Sequence, residues 1–174
     1  MTDFKDIKAF AFDVDGVMTD GGILCDLEGQ LFRTFDAKDG FAVRMAKLNG
    51  FPVAVITGGR SGSIAQRFAS CGIPSEDVYL GSRDKLTDFK DFCRRYGLDA
   101  TQVMYFGDDV PDIEVMRASG CGVCPSDASD DTREAADYIS PRPGGKGCIR
   151  EVFEQVMKLQ GRWNFDVLQY KKHF

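Results

Sequence analysis

Short apolar runs alternate along this chain with segments in which apolar residues recur every three or four positions. The runs, at 7–12, 52–56, 77–80, 103–106, 121–124 and 138–139, are short enough to be buried strands. The periodic segments, at 41–48, 64–71, 86–96, 113–116 and 149–159, predict helices with one apolar face. This alternation predicts an α/β fold, a doubly wound parallel sheet with helices on both faces.

Residues 21–37 interrupt the alternation with two short strand-like pieces around Leu27-Glu28-Gly29-Gln30, which predicts a β-hairpin. Since an isolated hairpin is only marginally stable, we expect this one to pack against another part of the chain or against another subunit. The last segment, 162–174, is rich in aromatic residues without clear periodicity. It is either a frayed end or a tail that docks onto the body or onto a neighbouring chain.

The chain has 174 residues, 43% of them hydrophobic, and a net charge of −5, which fits a single domain spanning 1–174. The acidic balance argues against nucleic-acid binding through a basic patch, so an anionic substrate would need local cations or a metal. No segment resembles a signal sequence or a membrane span, and we expect a cytoplasmic protein with six reduced cysteines. The one histidine, His173, is next to the last residue, so we expect carboxylates to carry acid–base chemistry.

Two carboxylates follow the first apolar run in the segment Asp13-Val14-Asp15-Gly16. An extended chain places Asp13 and Asp15 on the same side, and ligands of open parallel sheets bind beyond the carboxyl ends of the strands. Two close carboxylates repel each other, so either a metal ion neutralises them or one keeps a proton. Both arrangements suit catalysis on a phosphate, although Asp and Gly also favour a plain solvated turn.

The second core run ends in Thr57-Gly58-Gly59-Arg60, which supplies a hydroxyl and two glycines before a helix. Backbone N–H groups at the start of a helix can hold an anion, and the Thr57 hydroxyl can donate to a phosphoryl oxygen. Lys85 follows the next strand. It can reach the same crevice as a point charge, or it can be a solvated lysine at a helix start.

Three carboxylates follow the fourth run, in the segment Asp108-Asp109-Val110-Pro111-Asp112. Oxygen-only clusters suit Mg²⁺, which takes a few protein carboxylates, water and a substrate phosphate oxygen. Asp109 could instead cap the helix that opens at Val110 and Pro111, but three carboxylates exceed the need of a cap.

The order of these motifs, DVDGVMTD, ITGG, a lysine and GDDVPD, resembles that of the haloacid-dehalogenase-type phosphatases, over nearly the whole chain. The resemblance implies that Asp13 is the nucleophile that forms an aspartyl-phosphate and that Asp15 acts first as an acid and then as a base. Thr57 and Lys85 would bind the phosphoryl group and stabilise its charge. Asp15 favours a phosphohydrolase, since related transport ATPases carry threonine at this position and related dehalogenases lack the second aspartate.

The same resemblance implies a Mg²⁺ cofactor held by Asp13, Asp108 and the backbone carbonyl of Asp15, with Asp109 in support. Many members of this group carry a cap domain for substrate selection at one of two insertion points. Here only the hairpin and one helix fit between residues 20 and 52, and a helix and a strand fill residues 57–85. We therefore expect a form without a cap domain.

The hairpin, the segment 38–40, the ITGGR loop and the segment 144–151 are similar to those of the 3-deoxy-D-manno-octulosonate 8-phosphate phosphatase family. The resemblance implies hydrolysis of that eight-carbon sugar acid phosphate for lipopolysaccharide synthesis. It also implies a homotetramer built through the hairpin, in which a neighbour's C-terminal tail helps close each site. Substrate contacts are expected from Gly58, Gly59, Arg60, Lys38, Asp39, Arg67 and Arg150, since arginines can hold a carboxylate bidentately.

Two departures from the family pattern leave alternatives open. Position 59 is glycine where several relatives carry arginine or glutamate, and the tail is longer and more aromatic than the family minimum. The competing substrates are 2-keto-3-deoxynononate 9-phosphate and N-acetylneuraminate 9-phosphate. A more distant alternative is a non-catalytic module of a sugar-nucleotide synthetase. All the catalytic positions are filled, which argues against this alternative.

Overall fold

The computed structural model describes residues 3–174 and contains one six-stranded sheet in which neighbouring strands run parallel. The strands are β1 (Ala9–Phe12), β2 (Leu24–Cys25), β3 (Leu31–Phe32), β4 (Val53–Ile56), β5 (Val78–Tyr79), β6 (Val103–Phe106), β7 (Cys121–Cys124) and β8 (Tyr138–Ile139). The sheet order is β5-β4-β1-β6-β7-β8, and β2 and β3 form a separate antiparallel hairpin. This topology confirms the predicted α/β fold with an inserted hairpin and no cap domain.

Helices cover both faces of the sheet, so every residue of the central strand β1 is buried. The helices are α1 (Ala37–Leu48), α2 (Gly62–Ala69), α3 (Lys85–Tyr96), α4 (Ile113–Ala118), α5 (Asp130–Ala135), α6 (Cys148–Leu159) and α7 (Val167–His173). Alternation along β1 sends Phe10 and Phe12 into the core beneath α1 and α6, and Ala9 and Ala11 into the core beneath α3 and α4. The Phe10 ring stacks on Phe153 of α6, with ring centroids 3.9 Å apart.

Two helices, α5 and α7, were not predicted from the sequence. The sequence of α5 is DDTREA, in which only Thr132 is buried, so it has no apolar stripe that would mark it as a helix. In the structure of the single chain, the tail lies against α1. Arg44 of α1 donates a 2.7 Å hydrogen bond to the Tyr170 hydroxyl, and the rings of Phe41 and Phe165 lie 5.9 Å apart.

Within residues 3–174, no helix combines the length and the apolar composition needed to cross a membrane. All six cysteines are free thiols. Cys121 and Cys124, which lie two residues apart within β7, are buried and pack as small apolar side chains.

Candidate active site

The carboxyl ends of three neighbouring strands lie level with one another, because Phe12 of β1 pairs with Val55 of β4 and with Phe106 of β6. Beyond these ends lies a cavity of about 330 Å³. Its lining residues come from four loops that follow strands of the sheet: Asp13, Asp15, Gly21, Thr57, Gly58, Gly59, Ser82, Arg83, Lys85, Asp108, Asp109, Pro111 and Asp112. The structure therefore brings the four sequence motifs together at one edge of the sheet.

Asp13 follows β1 directly, and its backbone N–H still donates to the carbonyl of Phe106 on the neighbouring strand. One carboxylate oxygen accepts a 2.6 Å hydrogen bond from the N–H of Val14, and the other accepts a 2.7 Å hydrogen bond from Lys85. Burial raises the pKa of Asp13 to about 6, and the nearby charge of Asp112 adds to this rise, while Lys85 opposes it. Lys85 therefore does not fully neutralise the carboxylate, and a bound cation would supply the missing positive charge.

Lys85 is the first residue of α3, and its ammonium bridges two buried carboxylates. Nζ lies 2.7 Å from Oδ2 of Asp13 and 2.7 Å from Oδ1 of Asp112. Asp112, which the sequence analysis left without a role, is 1% exposed and also accepts a 2.7 Å hydrogen bond from the Tyr105 hydroxyl. Although burial lowers the pKa of Lys85, the two carboxylates raise it above its ordinary value, so the ammonium stays charged.

Asp108 differs from these carboxylates because it accepts no side-chain hydrogen bond from the described residues. It lies against Gly16, where an added Cβ would sit 1.9 Å from Oδ2 of Asp108. Gly16 also has φ +84°, so both its conformation and its lack of a side chain are needed at this turn. Burial raises the pKa of Asp108 to about 7, with further contributions from the charges of Asp13 and Asp112.

A cation would fit between these groups, since Asp13, Asp108 and Asp112 can present one oxygen each within 4.8 Å of one another. Asp109, which was predicted as a supporting metal ligand, lines the same cavity but is engaged otherwise. Its carboxylate accepts a 2.8 Å hydrogen bond from the N–H of Val110 and caps the 3-10 turn there, as the alternative interpretation held. An oxygen-only set of this kind suits Mg²⁺.

Asp15 also lines the cavity, and its carboxylate is held by Arg33, a residue that the sequence analysis missed. Nε of Arg33 lies 2.6 Å from Oδ1 of Asp15, and Nη2 lies 3.0 Å from Oδ2. Arg33 comes directly after β3 of the hairpin. The sequence carries no signal for this pair, because the two residues are 18 positions apart and meet only through the way the hairpin folds back.

Thr57 is 1% exposed at the end of β4, and its hydroxyl oxygen accepts a 3.1 Å hydrogen bond from the N–H of Gly59. Arg60 follows this loop but is not part of the cavity lining within the described chain. Its side chain lies against Gly81, where an added Cβ would meet the Arg60 side chain at 3.1 Å. The arginine that does line the cavity is Arg83, which the sequence analysis did not single out although it lies two residues before Lys85.

The structure places the remaining predicted substrate contacts elsewhere. Lys38 and Arg150 line a second, open cleft of about 520 Å³ at the N-terminus of α6. Asp39 is fully buried between α1 and α6, where its carboxylate accepts hydrogen bonds from the N–H groups of Gly147 (3.1 Å) and Arg150 (2.8 Å). It thereby satisfies N–H groups at the start of α6 and does not face the cavity. Burial raises its pKa to about 6.

Arg67, also predicted to contact substrate, lies beside the junction of the hairpin and α1. Its guanidinium is 5.7 Å from the centre of the Phe35 ring and packs against Gly40, where an added Cβ would sit 2.2 Å from Nη2. Its Nε has no hydrogen-bond partner within the described residues. This placement accounts for Gly40 as a close-contact position in α1, and it separates Arg67 from the residues that line the cavity.

A parallel sheet with clustered carboxylates, a threonine and a lysine at its carboxyl edge defines a hydrolase core of the haloacid dehalogenase type. A family model described as haloacid dehalogenase-like hydrolase matches residues 59–149. The 3-deoxy-D-manno-octulosonate 8-phosphate phosphatase of Salmonella typhi is 34% identical over 162 residues, which cover 93% of this chain and 85% of that protein. That of Haemophilus influenzae is 33% identical over 166 residues, covering 95% and 91%.

Solved structures agree with these sequence matches. The phosphatase from Moraxella catarrhalis, in complex with magnesium ion, phosphate ion and KDO, superposes with a TM-score of 0.87 at 35% identity and covers 92% of this chain and 91% of its own. The cobalt-bound phosphatase from Haemophilus influenzae superposes with a TM-score of 0.88 at 32% identity, covering 97% and 98%. The chain belongs to the 3-deoxy-D-manno-octulosonate 8-phosphate phosphatase family of haloacid dehalogenase-like hydrolases.

Proposed function

We propose that this protein is a Mg²⁺-dependent phosphatase that hydrolyses 3-deoxy-D-manno-octulosonate 8-phosphate to phosphate and the free keto sugar acid. The observation that carries the proposal is the contact between Asp13 and Lys85 in a cavity that also holds Asp15, Thr57 and Asp108. A carboxylate nucleophile, an acid–base carboxylate and two phosphoryl-binding groups are the parts that this reaction needs. The substrate is inferred from the named relatives, among which the Moraxella structure holds magnesium, phosphate and KDO.

In the first half of the proposed reaction, an oxygen of Asp13 attacks phosphorus and the bond from phosphorus to the sugar oxygen breaks. Asp15 gives its proton to that oxygen, and Asp13 becomes an aspartyl-phosphate. The Thr57 hydroxyl and the Lys85 ammonium donate to phosphoryl oxygens and stabilise the charge that develops there. Lys85 also keeps the attacking group available, because it opposes the rise in the pKa of Asp13 caused by burial.

In the second half, ionised Asp15 takes a proton from water as the water oxygen attacks phosphorus. The bond from phosphorus to Asp13 breaks, which releases inorganic phosphate, frees the Asp13 carboxylate and leaves Asp15 protonated for the next cycle. Mg²⁺ would be held by Asp13 and Asp108, with the backbone carbonyl of Asp15, and would supply positive charge for the phosphoryl group. Asp112 accepts hydrogen bonds from Lys85 and Tyr105, so we assign it to holding Lys85 in place.

We also propose a cytoplasmic homotetramer assembled through the hairpin. Its apolar side chains are unusually open to solvent in the single chain, with Leu24 70%, Leu27 101% and Phe32 52% exposed. Exposed apolar clusters of this kind mark interaction surfaces. Six free thiols suit a compartment that keeps cysteines reduced. Light scattering on the purified chain tests the assembly, and Leu27→Asp should lower the measured mass if the hairpins associate.

The test of function is phosphate release from 3-deoxy-D-manno-octulosonate 8-phosphate, with and without Mg²⁺, beside the two nine-carbon sugar acid phosphates and common hexose phosphates. We expect metal-dependent turnover that prefers the eight-carbon substrate. Asp13→Asn should retain less than about 1% of the wild-type kcat/KM, whereas Asp130→Asn, which alters a fully exposed aspartate of α5, should retain full activity. A preference for a nine-carbon substrate would move the enzyme to that reaction, and no turnover of any substrate would overturn the proposal.

A further inference from the structure

Arg33 connects the hairpin to the catalytic cavity through one carboxylate. Its side chain is 3% exposed. Nε donates a 2.6 Å hydrogen bond to Oδ1 of Asp15, and Nη2 donates a 3.0 Å hydrogen bond to Oδ2. Among the described residues, Asp15 lines the cavity and Arg33 does not. The two hydrogen bonds from Arg33 fix the orientation of the Asp15 carboxylate, and Asp15 is the residue of this pair that reaches the cavity.

Packing stability alone does not explain a buried arginine at this position. Nη1 of Arg33 is buried and has no hydrogen-bond partner within residues 3–174. A buried donor left unpaired costs roughly 1–3 kcal/mol, and buried ion pairs often contribute no more than a well-packed apolar side chain would. A role of the guanidinium in the chemistry of Asp15 would explain why the protein carries this cost.

The second glycine of the ITGG loop leaves room for this arrangement. An added Cβ on Gly59 would lie 3.3 Å from Nη2 of Arg33, 3.4 Å from the Thr57 hydroxyl oxygen and 2.8 Å from Ile64. The guanidinium is thus enclosed between the Asp15 turn and the loop that carries Thr57.

We propose that Arg33 is a positioning residue that holds ionised Asp15 in place for the second half of the reaction, the hydrolysis of the aspartyl-phosphate. The inference rests on the proposed function. A bidentate arginine suits a carboxylate that carries charge, which is the form in which Asp15 takes the proton from water. The step that frees Asp13 therefore depends on the hairpin, while departure of a good leaving group does not need a proton from Asp15.

The test uses p-nitrophenyl phosphate, whose leaving group departs without acid assistance. Arg33→Met keeps an unbranched side chain but removes the guanidinium, and its kcat should fall by about ten- to a hundredfold. The kcat/KM should stay within about threefold of wild type, because it covers only the steps up to departure of the leaving group. Stopped-flow mixing should then show a burst of p-nitrophenolate close to the enzyme concentration.

A structural role alone would lower kcat and kcat/KM together and would give no burst, and that result would overturn the inference, as would an unchanged kcat. The kcat of Arg33→Lys should fall less than that of Arg33→Met, because lysine keeps a point charge beside Asp15. If Arg33→Met does not fold, the burst of p-nitrophenolate is measured with Arg33→Lys instead. The matched control is Arg94→Met, which alters an arginine that is 74% exposed on α3. Wild-type turnover that is absent in Asp13→Asn tests the proposed function separately in the same assay.

Discussion

Replacing Lys85 is the most direct test of how the buried charges of the site are held together. Lys85→Met keeps an unbranched apolar stem but removes the ammonium that lies 2.7 Å from both Asp13 and Asp112. Both carboxylates are buried, so each loses its cation without gaining access to water. Removal of one partner from a buried ion pair costs about 3–5 kcal/mol, and we expect this loss in the free energy of unfolding of the metal-free protein at pH 8.

A second substitution separates stability from catalysis. Asp112→Asn in the Lys85→Met background removes one of the two carboxylates left without a cation. The double variant should therefore lose about 1–3 kcal/mol less unfolding free energy than the two single variants lose together. Activity should not return. Phosphate release by Lys85→Met and by the double variant should both fall at least about a hundredfold, because no ammonium is left to stabilise the phosphoryl charge.

Urea unfolding followed by circular dichroism, with EDTA present, measures the free energies, and phosphate release with Mg²⁺ measures the activities. Lys90→Met is the control, since Lys90 is an exposed lysine on the same helix and should change stability by less than about 0.5 kcal/mol. A Lys85→Met variant as stable as this control would contradict a buried ion pair that contributes to stability. Effects of Lys85→Met and Asp112→Asn that add to within about 0.5 kcal/mol would show that the two residues are not coupled.

Two further predictions concern carboxylates whose pKa is raised by burial. Burial raises the pKa of Asp108 to about 7 and a metal ligand must be ionised, so Mg²⁺ binding should release more protons at pH 7 than at pH 9. Calorimetry in two buffers with different heats of ionisation measures this release, and equal values at both pH values would contradict the assignment. Asp39→Ala should lose about 2 kcal/mol of unfolding free energy, because it removes the acceptor for N–H groups at the start of α6. The KM for substrate should not change, and a raised KM at full stability would instead support Asp39 as a substrate contact.

The parts of the fold that the sequence predicts are those set by local patterns. The strand β1 and its neighbours appear as apolar runs because a parallel strand covered on both faces is apolar throughout. Asp13, Thr57, Lys85 and Asp108 meet in the structure because each follows a strand of one parallel sheet, or begins the helix after it, and such strands end at one edge. Position after a strand is therefore enough to place these residues near one another without knowledge of the packing.

What the sequence does not predict depends on side-chain partners far apart in the chain. Asp39 follows a helix cap and reads as a polar residue at a helix start, but the packing of α1 on α6 buries it against N–H groups 108 and 111 positions away. Arg33 has its partner 18 positions back, across the hairpin turn. The tail helix α7 has no buried residue, so it lacks the stripe that would reveal it, and its contact with α1 rests on Tyr170 and its neighbours.

The three carboxylates proposed for the chemistry are alike as side chains, and their different partners explain their different roles. Both oxygens of Asp15 accept hydrogen bonds from the Arg33 guanidinium, which fixes the direction of the group proposed to exchange protons with the substrate oxygen and with water. Asp13 shares one oxygen with Lys85, which opposes the rise in its pKa and so favours the ionised form that the proposed attack needs. The Asp108 side chain accepts no hydrogen bond from the described residues, and burial raises its pKa to about 7. Of these three carboxylates, Asp108 is the one without a cation in hydrogen-bond contact, which supports the proposal that Mg²⁺ binds there.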